Sequence, residues 1–521
     1  MQKTTLFLLF AIFVLILSCG VVRDHPNTVI IAITEENLEG FDSLVEWGGI
    51  GSRLFYSTLL AYDEKFAVVN DLAYQYKLSP DKLTWTVKIR TDSRFHNGKE
   101  LNAKDVVYTF MTAASIENWL DLSMLEKAEA YDAATVIFTL KRPDMSFIHP
   151  LATLGIIPEN SLDPEQEQIP AGSGPYKFIA SNENKEIILE ANQNYYGKKP
   201  EFERIVLLVT DEQQAFQYAL EGKIDILPVP ISKSSFLVEG TRLVSIGSVE
   251  KRAIFFPLIP KTTGIDGSIR GNDVTSDVSI RKAIDSAMNR DNIVAGILGG
   301  HGTPIYGPAD GFPWDEPAGR LTWGRTRTSK NILAGAGWKD LNRDGILEKN
   351  GISAEFTLYY PQSDFIAQSM AIACANTALE IGIKIIPEGR PRDELGELMY
   401  YNPVMFSWGS HNPFEINNLF HSSNTGSENY PSYYRNTRVD TRIEGVKSSA
   451  TFTAAVQQLQ QVQWDGVTGV SMRGDAPIVW LANISHTYFV NNKLVVGSSR
   501  LEKRGSGWPV LESILSWSWK K

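Results

Sequence analysis

Residues 93–114 read S-R-F-H-N-G-K-E-L-N-A-K-D-V-V-Y-T-F-M-T-A-A and carry more information about the architecture than any other stretch of the chain. The first part is a polar turn around Gly98. Asn102 then stands three residues before Asp105, the spacing of a capping box, which predicts the start of a helix. Apolar residues at helical spacing follow. The stretch therefore predicts a turn joined to an amphipathic helix.

Length, composition and charge limit the possible functions. A chain of 521 residues is long enough for two or three domains with substantial cores. Its 43% hydrophobic and 21% charged content is that of an ordinary globular protein. The net charge of -10 argues against a nucleic-acid partner, because phosphate binding needs concentrated positive surface.

The N-terminus predicts export. Lys3 precedes an apolar run over residues 6–17, which is shorter than the about 20 residues that span a bilayer and is typical of a signal peptide covering residues 1–18. A small residue before Cys19 resembles a bacterial lipobox, so we expect Cys19 to be acylated, with residues 19–27 as a lipidated tether. A plain signal peptide or a buried cysteine is the alternative.

The second cysteine, Cys374, lies in an apolar stretch. A disulfide with a lipid-modified Cys19 is implausible, so the fold must depend on its hydrophobic core. We expect Cys374 to be a small buried side chain.

Residues 205–227 are the clearest architectural unit. A continuous apolar run at residues 205–209 predicts a strand covered on both faces. Thr210 can cap the helix that follows, Gly222 ends it, and residues 224–227 form the next strand. A βαβ unit of this kind predicts an α/β layer with a parallel pair of strands.

Several more segments resemble one known family, in the same order along the chain. They are A-G-S-G-P-Y-K-F at 171–178, L-E-A-N-Q-N-Y-Y-G at 189–197, V-S-I-R-K-A-I at 278–284 and A-G-A-G-W-K-D at 334–340. Together with residues 93–114 they resemble the family-5 extracellular solute-binding proteins, the peptide- and nickel-binding components of ABC importers. The resemblance covers roughly residues 28–520.

The resemblance implies an α/β, bilobal type II periplasmic-binding-protein fold with an extra subdomain inserted in the first lobe. The first lobe is expected at residues 26–57, 171–256 and 478–521, the inserted subdomain at 58–170, and the second lobe at 257–477. The chain would then cross between lobes near Phe256 and near Pro477. Such proteins close around a ligand like a hinged clamp.

The most specific pattern for a site is F-S-W-G-S-H-N-P-F-E-I-N-N-L-F at 406–420, which resembles a family segment that lines the cleft. Peptide-binding members carry an Asp three residues after the Trp, where this chain has His411. Nickel-binding members have a Trp-Gly start like that of Trp408, with a metal-contacting His further along, where this chain has Glu415. The sequence departs from both patterns and leaves the ligand class open.

The candidate ligand-binding residues are Trp408, His411, Asn412, Trp47, Tyr359 and Tyr360. His411 is a ligand contact, a structural turn residue or a metal ligand. Trp408 and Trp47 are each either a ligand-stacking wall or core. Members of the dipeptide-binding type hold the peptide carboxylate with an Arg near a second-lobe strand, and the matching stretch at 359–364 has none.

Residues 340–348 resemble the start of a calcium loop. Asp340, Asn342 and Asp344 occupy alternate positions, and Glu348 occupies the ninth. Position 12 is Gly351, where an EF-hand needs a bidentate Glu. We therefore interpret this segment as a surface turn, with weak calcium binding as the alternative, and expect no other cofactor.

Enzyme motifs such as G-x-S-x-G, H-E-x-x-H and the P-loop are absent from the sequence, so we expect a carrier. The predicted function is capture of short peptides by a monomeric lipoprotein, periplasmic or extracellular, that is attached to a bacterial membrane by its lipid anchor. Its partners would be the permease and ATPase of an ABC importer. The alternatives are a nickel or metal-chelate carrier of the same family, or a sensor or adhesive surface lipoprotein without transport.

Overall fold

The computed structural model describes residues 27–33, 52–116, 120–161, 171–181, 185–321, 324–424, 432–497 and 510–520. The predicted signal peptide, Cys19, most of the predicted tether and Trp47 lie outside these residues. Within the described part of the chain, no helix combines the length and the apolar character needed to cross a membrane.

Strands form a large central sheet and several smaller ones. In chain order they are β1 Thr28–Ile33, β2 Leu60–Tyr62, β3 Val68–Asn70, β4 Ala73–Leu78, β5 Thr84–Ile89, β6 Leu125–Asp132, β7 Thr135–Leu140, β8 Tyr176–Ser181, β9 Glu186–Ala191, β10 Arg204–Val209, β11 Ile226–Val229, β12 Thr241–Phe255, β13 Thr262–Thr263, β14 Ile269–Arg270, β15 Gly302–Pro304, β16 Glu348–Lys349, β17 Ile352–Ser353, β18 Glu355–Pro361, β19 Lys384–Arg390, β20 Val404–Trp408, β21 Ile478–Asn491, β22 Leu494–Val495 and β23 Ser518–Trp519.

Helices cover the sheets. In chain order they are α1 Ser52–Phe55, α2 Ala103–Ser115, α3 Ile148–Thr153, α4 Glu212–Leu220, α5 Val278–Ala287, α6 Arg290–Gly296, α7 Thr326–Gly335, α8 Phe365–Leu379, α9 Leu395–Leu398, α10 Glu415–Phe420, α11 Thr437–Lys447 and α12 Phe452–Gln463, with short 3-10 helices at Met145–Phe147, Ile231–Lys233, Pro317–Gly319, Ser422–Asn424 and Leu511–Ser516.

The capping box predicted in residues 93–114 is confirmed. The Asn102 side chain accepts from the Lys104 N–H at 2.9 Å, and the Asp105 carboxylate accepts from the Asn102 N–H at 2.9 Å, where α2 begins. Asp105 is fully buried and also accepts from the Glu159 N–H. Its carboxylate therefore joins the helix start to a distant loop as well as capping the helix.

The turn before α2 docks onto the glycine-rich segment at 171–178. The His96 N–H donates to the Gly172 carbonyl at 2.8 Å, and the His96 ring lies 3.1 Å from the Gly174 carbonyl oxygen. A Cβ at Gly172 would lie 1.7 Å from the Phe55 carbonyl oxygen, so no larger residue fits without a shift of the backbone. Two segments distant in sequence thus support each other through their backbones.

The large sheet runs in the order β19-β18-β20-β12-β21-β11-β1-β10-β9-β8, and β15 adds to β21. Strands β10 and β11 are both parallel to β1, which lies between them. The predicted βαβ unit is therefore present, with a third strand inserted between its two strands. Asp211, not Thr210, caps α4 by accepting from the Gln214 N–H.

The long antiparallel strands β12 and β21 join the two ends of this sheet. β21 pairs with β11 through residues 487–490, and β12 pairs with β20 through residues 251–255. Between these segments the register of β12 on β21 shifts at residues 247–251, a bulge in which the Ser248 hydroxyl donates to the Ile484 carbonyl. The change of neighbouring strand, from β11 to β20, thus occurs inside the long pair β12 and β21. The predicted crossings near Phe256 and Pro477 lie at the ends of these strands. The predicted domain boundaries stay predictions.

Three buried clusters are found among the described residues. One cluster, called the second-lobe core because most of its residues belong to the predicted second lobe, lies on one face of β12, β18 and β20 and includes Ile254, Tyr360 and Met405. The opposite face carries Phe255 and Tyr359 into a larger cluster that extends into residues 58–170, where the four-stranded sheet β4-β5-β7-β6 packs with α2. A third, smaller cluster lies under α4. Alternation along the strands assigns neighbouring residues to different cores.

Candidate functional site

Trp408 lies at the end of β20, next to the bulge of the long strands. It pairs with Lys251 of β12, and its ring lies 5.6 Å from that of Trp480 on β21 in an edge-to-face arrangement. The next residue is Gly409, where a Cβ would lie 2.4 Å from the Val249 carbonyl oxygen. The glycine lets the backbone approach the bulge closely, and this approach sets the position of the Trp408 ring.

Lys251 is the most unusual side chain in this region. It is 0% exposed, and within the described residues its ammonium has no hydrogen-bond partner. Two aromatic rings face it instead, with the nitrogen 4.6 Å from the Phe312 centroid and 5.7 Å from that of Trp408. Burial lowers the pKa of Lys251 to about 8, against the opposing effect of Asp310 and Asp315.

Two carboxylates whose charge acts on Lys251, those of Asp310 and Asp315, already form ion pairs with Arg320. Arg320 pairs with Asp310 at 3.2 Å and with Asp315. Burial, followed by repulsion from Asp315, raises the pKa of Asp310 to about 6, and Arg320 opposes this rise. The pKa of Asp315 is raised by burial as well. The group thus places two acidic side chains beside two basic ones, and the Arg320 guanidinium contacts both acidic side chains directly.

An aromatic group closes this region from two parts of the chain. The Phe312 and Trp314 rings stack at 4.8 Å with an interplanar angle of 5°. Phe66, which follows β2, lies edge-on to Phe312 at 4.7 Å and reaches Trp314 at 6.0 Å. Residues of the predicted inserted subdomain therefore contact residues of the predicted second lobe directly beside Lys251.

His411 lies in a second contact between these two parts. It is 7% exposed, and its ring lies 5.9 Å from that of Tyr62 and 5.6 Å from that of His149. The Tyr62 hydroxyl hydrogen-bonds with His149 Nδ1 at 3.2 Å, and burial raises the pKa of Tyr62. A cavity of about 100 Å³ touches both histidines together with Asp144 and other polar residues. That volume holds a few water molecules rather than a peptide.

Asn412 uses its side chain to shape the turn after β20. Its Oδ1 accepts from the Phe414 N–H at 3.0 Å, and its own N–H donates to the Ser410 hydroxyl at 3.0 Å. These bonds position His411, which lies between the two. Asn412 lines the same small cavity.

Tyr359 and Tyr360 lie on opposite faces of β18. The Tyr359 ring lies on the same side of the sheet as Phe255, and the Arg390 guanidinium is 5.7 Å from the centroid of the Tyr359 ring. Tyr360 packs in the second-lobe core, and its hydroxyl accepts from Gln368 of α8 at 3.2 Å. Only Tyr359 shares a face with Phe406 and Trp408, and the position of Tyr360 does not favour a ligand contact.

The acidic turn at 340–348 brings one oxygen each of Asp340, Asp344 and Glu348 within 4.8 Å of one another. The same carboxylates accept backbone N–H groups inside the turn, for example Arg343 N–H on Asp340 at 2.7 Å. Asn342 donates to Asp344 at 3.0 Å. These bonds fit a surface turn, and both interpretations of the segment stay predictions.

Sequence reasoning missed Lys251, Asp310, Asp315 and Phe312. The stretch V-E-K-R-A at 249–253 has adjacent charged residues and is typical of an exposed strand edge. The bulge instead turns Arg252 toward Glu250 and Asp364, at 2.8 Å each, and Lys251 into the interior on the other face. The one available signal was the run of aromatic and acidic residues at 306–315.

Comparisons with known proteins place the chain among bacterial solute-binding proteins. The model for bacterial extracellular solute-binding proteins, family 5, matches residues 67–430. Protein XP55 of Streptomyces lividans is 28% identical over 501 residues, which cover 92% of this chain and 88% of that protein. The oligopeptide-binding protein AppA of Bacillus subtilis is 27% identical over 473 residues, covering 85% of each chain.

Solved structures share the fold. The structure of AppA from Bacillus subtilis in complex with a nonapeptide has a TM-score of 0.66 at 24% identity, over 95% of this chain and 99% of the other. NikZ from Campylobacter jejuni in complex with Ni(L-His) has a TM-score of 0.72 at 21% identity, over 94% and 99%. The predicted bilobal type II fold class is confirmed.

Proposed function

This chain belongs to family 5 of the bacterial extracellular solute-binding proteins, as the segments in its sequence suggested, and from this membership we propose that it captures short peptides between its lobes for import by an ABC transporter. The observation that carries the proposal is that Phe312 and Trp408 face one buried cation, with Phe66 packed on Phe312 from a separate part of the chain. Apolar walls with a few oriented polar groups are what a small-ligand site requires. The peptide-binding relative AppA supports the choice of solute.

The partners follow from this role. The permease and ATPase of an importer would receive the ligand from the closed form of the carrier. A ligand shifts the open–closed equilibrium only by its preference for the closed form, so we expect the ligand to contact both parts of the chain that the aromatic rings join. We further propose a monomer acylated at Cys19 that reaches the membrane through its lipid anchor alone, and a carrier without catalytic activity.

A nickel or metal-chelate carrier is the second candidate. The pair of histidines, His149 and His411, with ring centroids 5.6 Å apart, motivates it, and NikZ with Ni(L-His) shares the fold. Titration of the purified protein with mixed short peptides and, separately, with nickel and histidine distinguishes the two, using tryptophan fluorescence. Binding of the nickel mixture alone would overturn the peptide proposal. If a strain that lacks the importer no longer grows on peptides as nutrients, this result would argue against a sensor or adhesive role.

Two substitutions test the position of the site. We expect Trp408→Ala and His411→Ala each to weaken peptide binding by at least about 1 kcal/mol, the scale of an aromatic contact or a hydrogen bond. Tyr360→Phe is the matched control, because its hydroxyl contacts Gln368 in the second-lobe core. Circular dichroism checks that each variant is folded. Unchanged affinity in both site variants would move the site elsewhere.

A further inference from the structure

We propose that Lys251 is the anion-binding group of the ligand site and that its ammonium binds a carboxylate of the captured solute. The proposal deepens the peptide-carrier function and rests on it. It assigns a specificity role to a residue that neither the site pattern at 406–420 nor the acidic turn contains. Lys251 suits this role through its burial, its unpaired ammonium among the described residues and the charges nearby.

A buried charge without a hydrogen bond is costly. Transfer of an ammonium out of water costs several kcal/mol unless acceptors replace the lost hydration. Lys251 is 0% exposed, yet its three N–H groups have no acceptor among the described residues. The contacts with Phe312 and Trp408 return only part of this cost, because the face of a ring attracts a cation but accepts no full hydrogen bond from its N–H groups. The position is stabilised fully only when an acceptor is added.

The neighbouring carboxylates do not supply that acceptor. Asp310 and Asp315 both lie in ion pairs with Arg320, and although Asp310 Oδ1 has no hydrogen-bond partner among the described residues, the Lys251 ammonium does not reach it. Arg320 has a planar fork of donors and competes better than an ammonium for such carboxylates. The aspartates therefore act on Lys251 only through space, where they favour its charged form. Lys251 remains a cation held in place for a further anion.

The backbone fixes the ammonium beside the aromatic wall. Lys251 pairs with Trp408 on one side and with Asn483 on the other, directly after the bulge. Because cross-strand partners have side chains on the same face, the Trp408 ring and the lysine stem lie next to each other. A solute stacked on Trp408 would present its polar end to the ammonium.

The cover of this position can open. Phe312 is contacted by Phe66, which belongs to the predicted inserted subdomain. Separation of these two parts would remove the edge-to-face contact and uncover the side of Lys251 that Phe312 now closes. Entry of a ligand anion and closure of the aromatic cover would then be one event.

A carboxylate is the anion that suits a peptide carrier, and it has two sources in a peptide. The C-terminus supplies one, and an Asp or Glu side chain supplies the other. Both make charge-assisted hydrogen bonds with an ammonium, which are worth roughly 1.5–3 kcal/mol. Loss of such a bond corresponds to at least about a tenfold loss of affinity.

The test compares ligands that differ in one carboxylate. Short peptides of mixed length without acidic residues are supplied as free acids, as C-terminal amides, and as amides that contain one Glu, and binding is measured by calorimetry. For wild type we expect about tenfold tighter binding of either the free acids or the Glu amides than of the neutral amides. The preferred set identifies the source of the carboxylate. In Lys251→Met we expect this preference to disappear while the neutral amides still bind.

The control variant is Lys233→Met, which removes an exposed lysine that pairs with Glu212 at 2.7 Å and should leave every affinity unchanged. Retention of the wild-type preference by Lys251→Met would overturn the proposal, as would equal binding of all three sets by wild type. Nickel with histidine and nickel with histidinamide form a parallel pair. If wild type binds only these, the peptide function fails, while a Lys251-dependent preference for histidine would still support the anion role. Binding of neither solute class overturns both proposals.

Discussion

Arg290 and Lys251 are both cations with 0% exposure beside the same long strands, but their surroundings are opposite. The Arg290 guanidinium donates to the carbonyls of Ile305 at 2.8 Å and Trp480 at 2.9 Å, and it pairs with the Asp285 carboxylate. Lys251 has two aromatic rings and no acceptor within the described chain. The protein supplies hydrogen-bond acceptors for the Arg290 guanidinium, whereas the described residues supply none for the Lys251 ammonium.

The difference separates a structural charge from a binding charge. Arg290 begins α6 and ties the α5–α6 junction to β21, so its contacts hold secondary structure together. The Lys251 ammonium forms no hydrogen bond with another described element of the fold, although the side-chain stem packs beside Trp408. Burial alone therefore does not reveal the role of a cation, whereas the count of satisfied donors does.

The largest effect is expected at Arg290. Arg290→Met leaves the buried Asp285 carboxylate and the carbonyls of Asp285, Ile305 and Trp480 without this donor. Loss of one partner of a buried pair costs about 3–5 kcal/mol. Urea unfolding followed by tryptophan fluorescence measures this loss. A decrease below about 1 kcal/mol would remove the contrast with Lys251.

Lys251→Met is expected to have the opposite sign. Burial lowers the pKa of Lys251 from its ordinary 10.5 to about 8, so the unfolded chain holds the proton more strongly. This shift corresponds to a cost of about 3 kcal/mol below pH 8, which is lost as the pH rises to 10.5. The ligand-free variant should be more stable than wild type at pH 7, and the gap should close between pH 8 and 10.5. A variant less stable than wild type at pH 7 would show that Lys251 is structural.

A smaller effect is expected at Gly409, which supports the Lys251 position through its contact with the bulge. In Gly409→Ala the new methyl would lie 2.4 Å from the Val249 carbonyl oxygen, and we expect a destabilisation of about 1–3 kcal/mol. Gly396→Ala is the matched control, because open space surrounds that helical position and alanine favours helix by up to about 1 kcal/mol. Thermal unfolding of the pair measures both. If Gly409→Ala and Gly396→Ala melt at the same temperature, the strand can move away from the bulge at no cost in stability.

The sequence predicted those parts of the molecule that depend on local rules. The capping box at Asn102 and Asp105 depends on three-residue spacing, and it is present. The fold class followed from segments that keep the family order. The helix cap at Thr210 was wrong by one residue, since Asp211 offers a stronger acceptor for the helix N–H groups.

The candidate site was harder to predict because it is assembled from distant segments. Trp408 and His411 were identified from their turn, but their neighbours Lys251, Phe312 and Tyr62 come from other parts of the chain. Strand alternation could have separated Tyr359 from Tyr360. The inward turn of Lys251 depends on a bulge between strands far apart in sequence, and no local pattern encodes such a bulge.

The position of β21 has a consequence for how the protein is made. This strand lies between β12 and β11, in the middle of the large sheet, yet it is synthesised long after both. Until the ribosome has released residues 478–491, the edges of β11 and β12 stay open, and the two halves of the sheet have no shared strand. Pairing over so long a sequence separation is slow, so the nascent chain remains incompletely folded until this strand has been made.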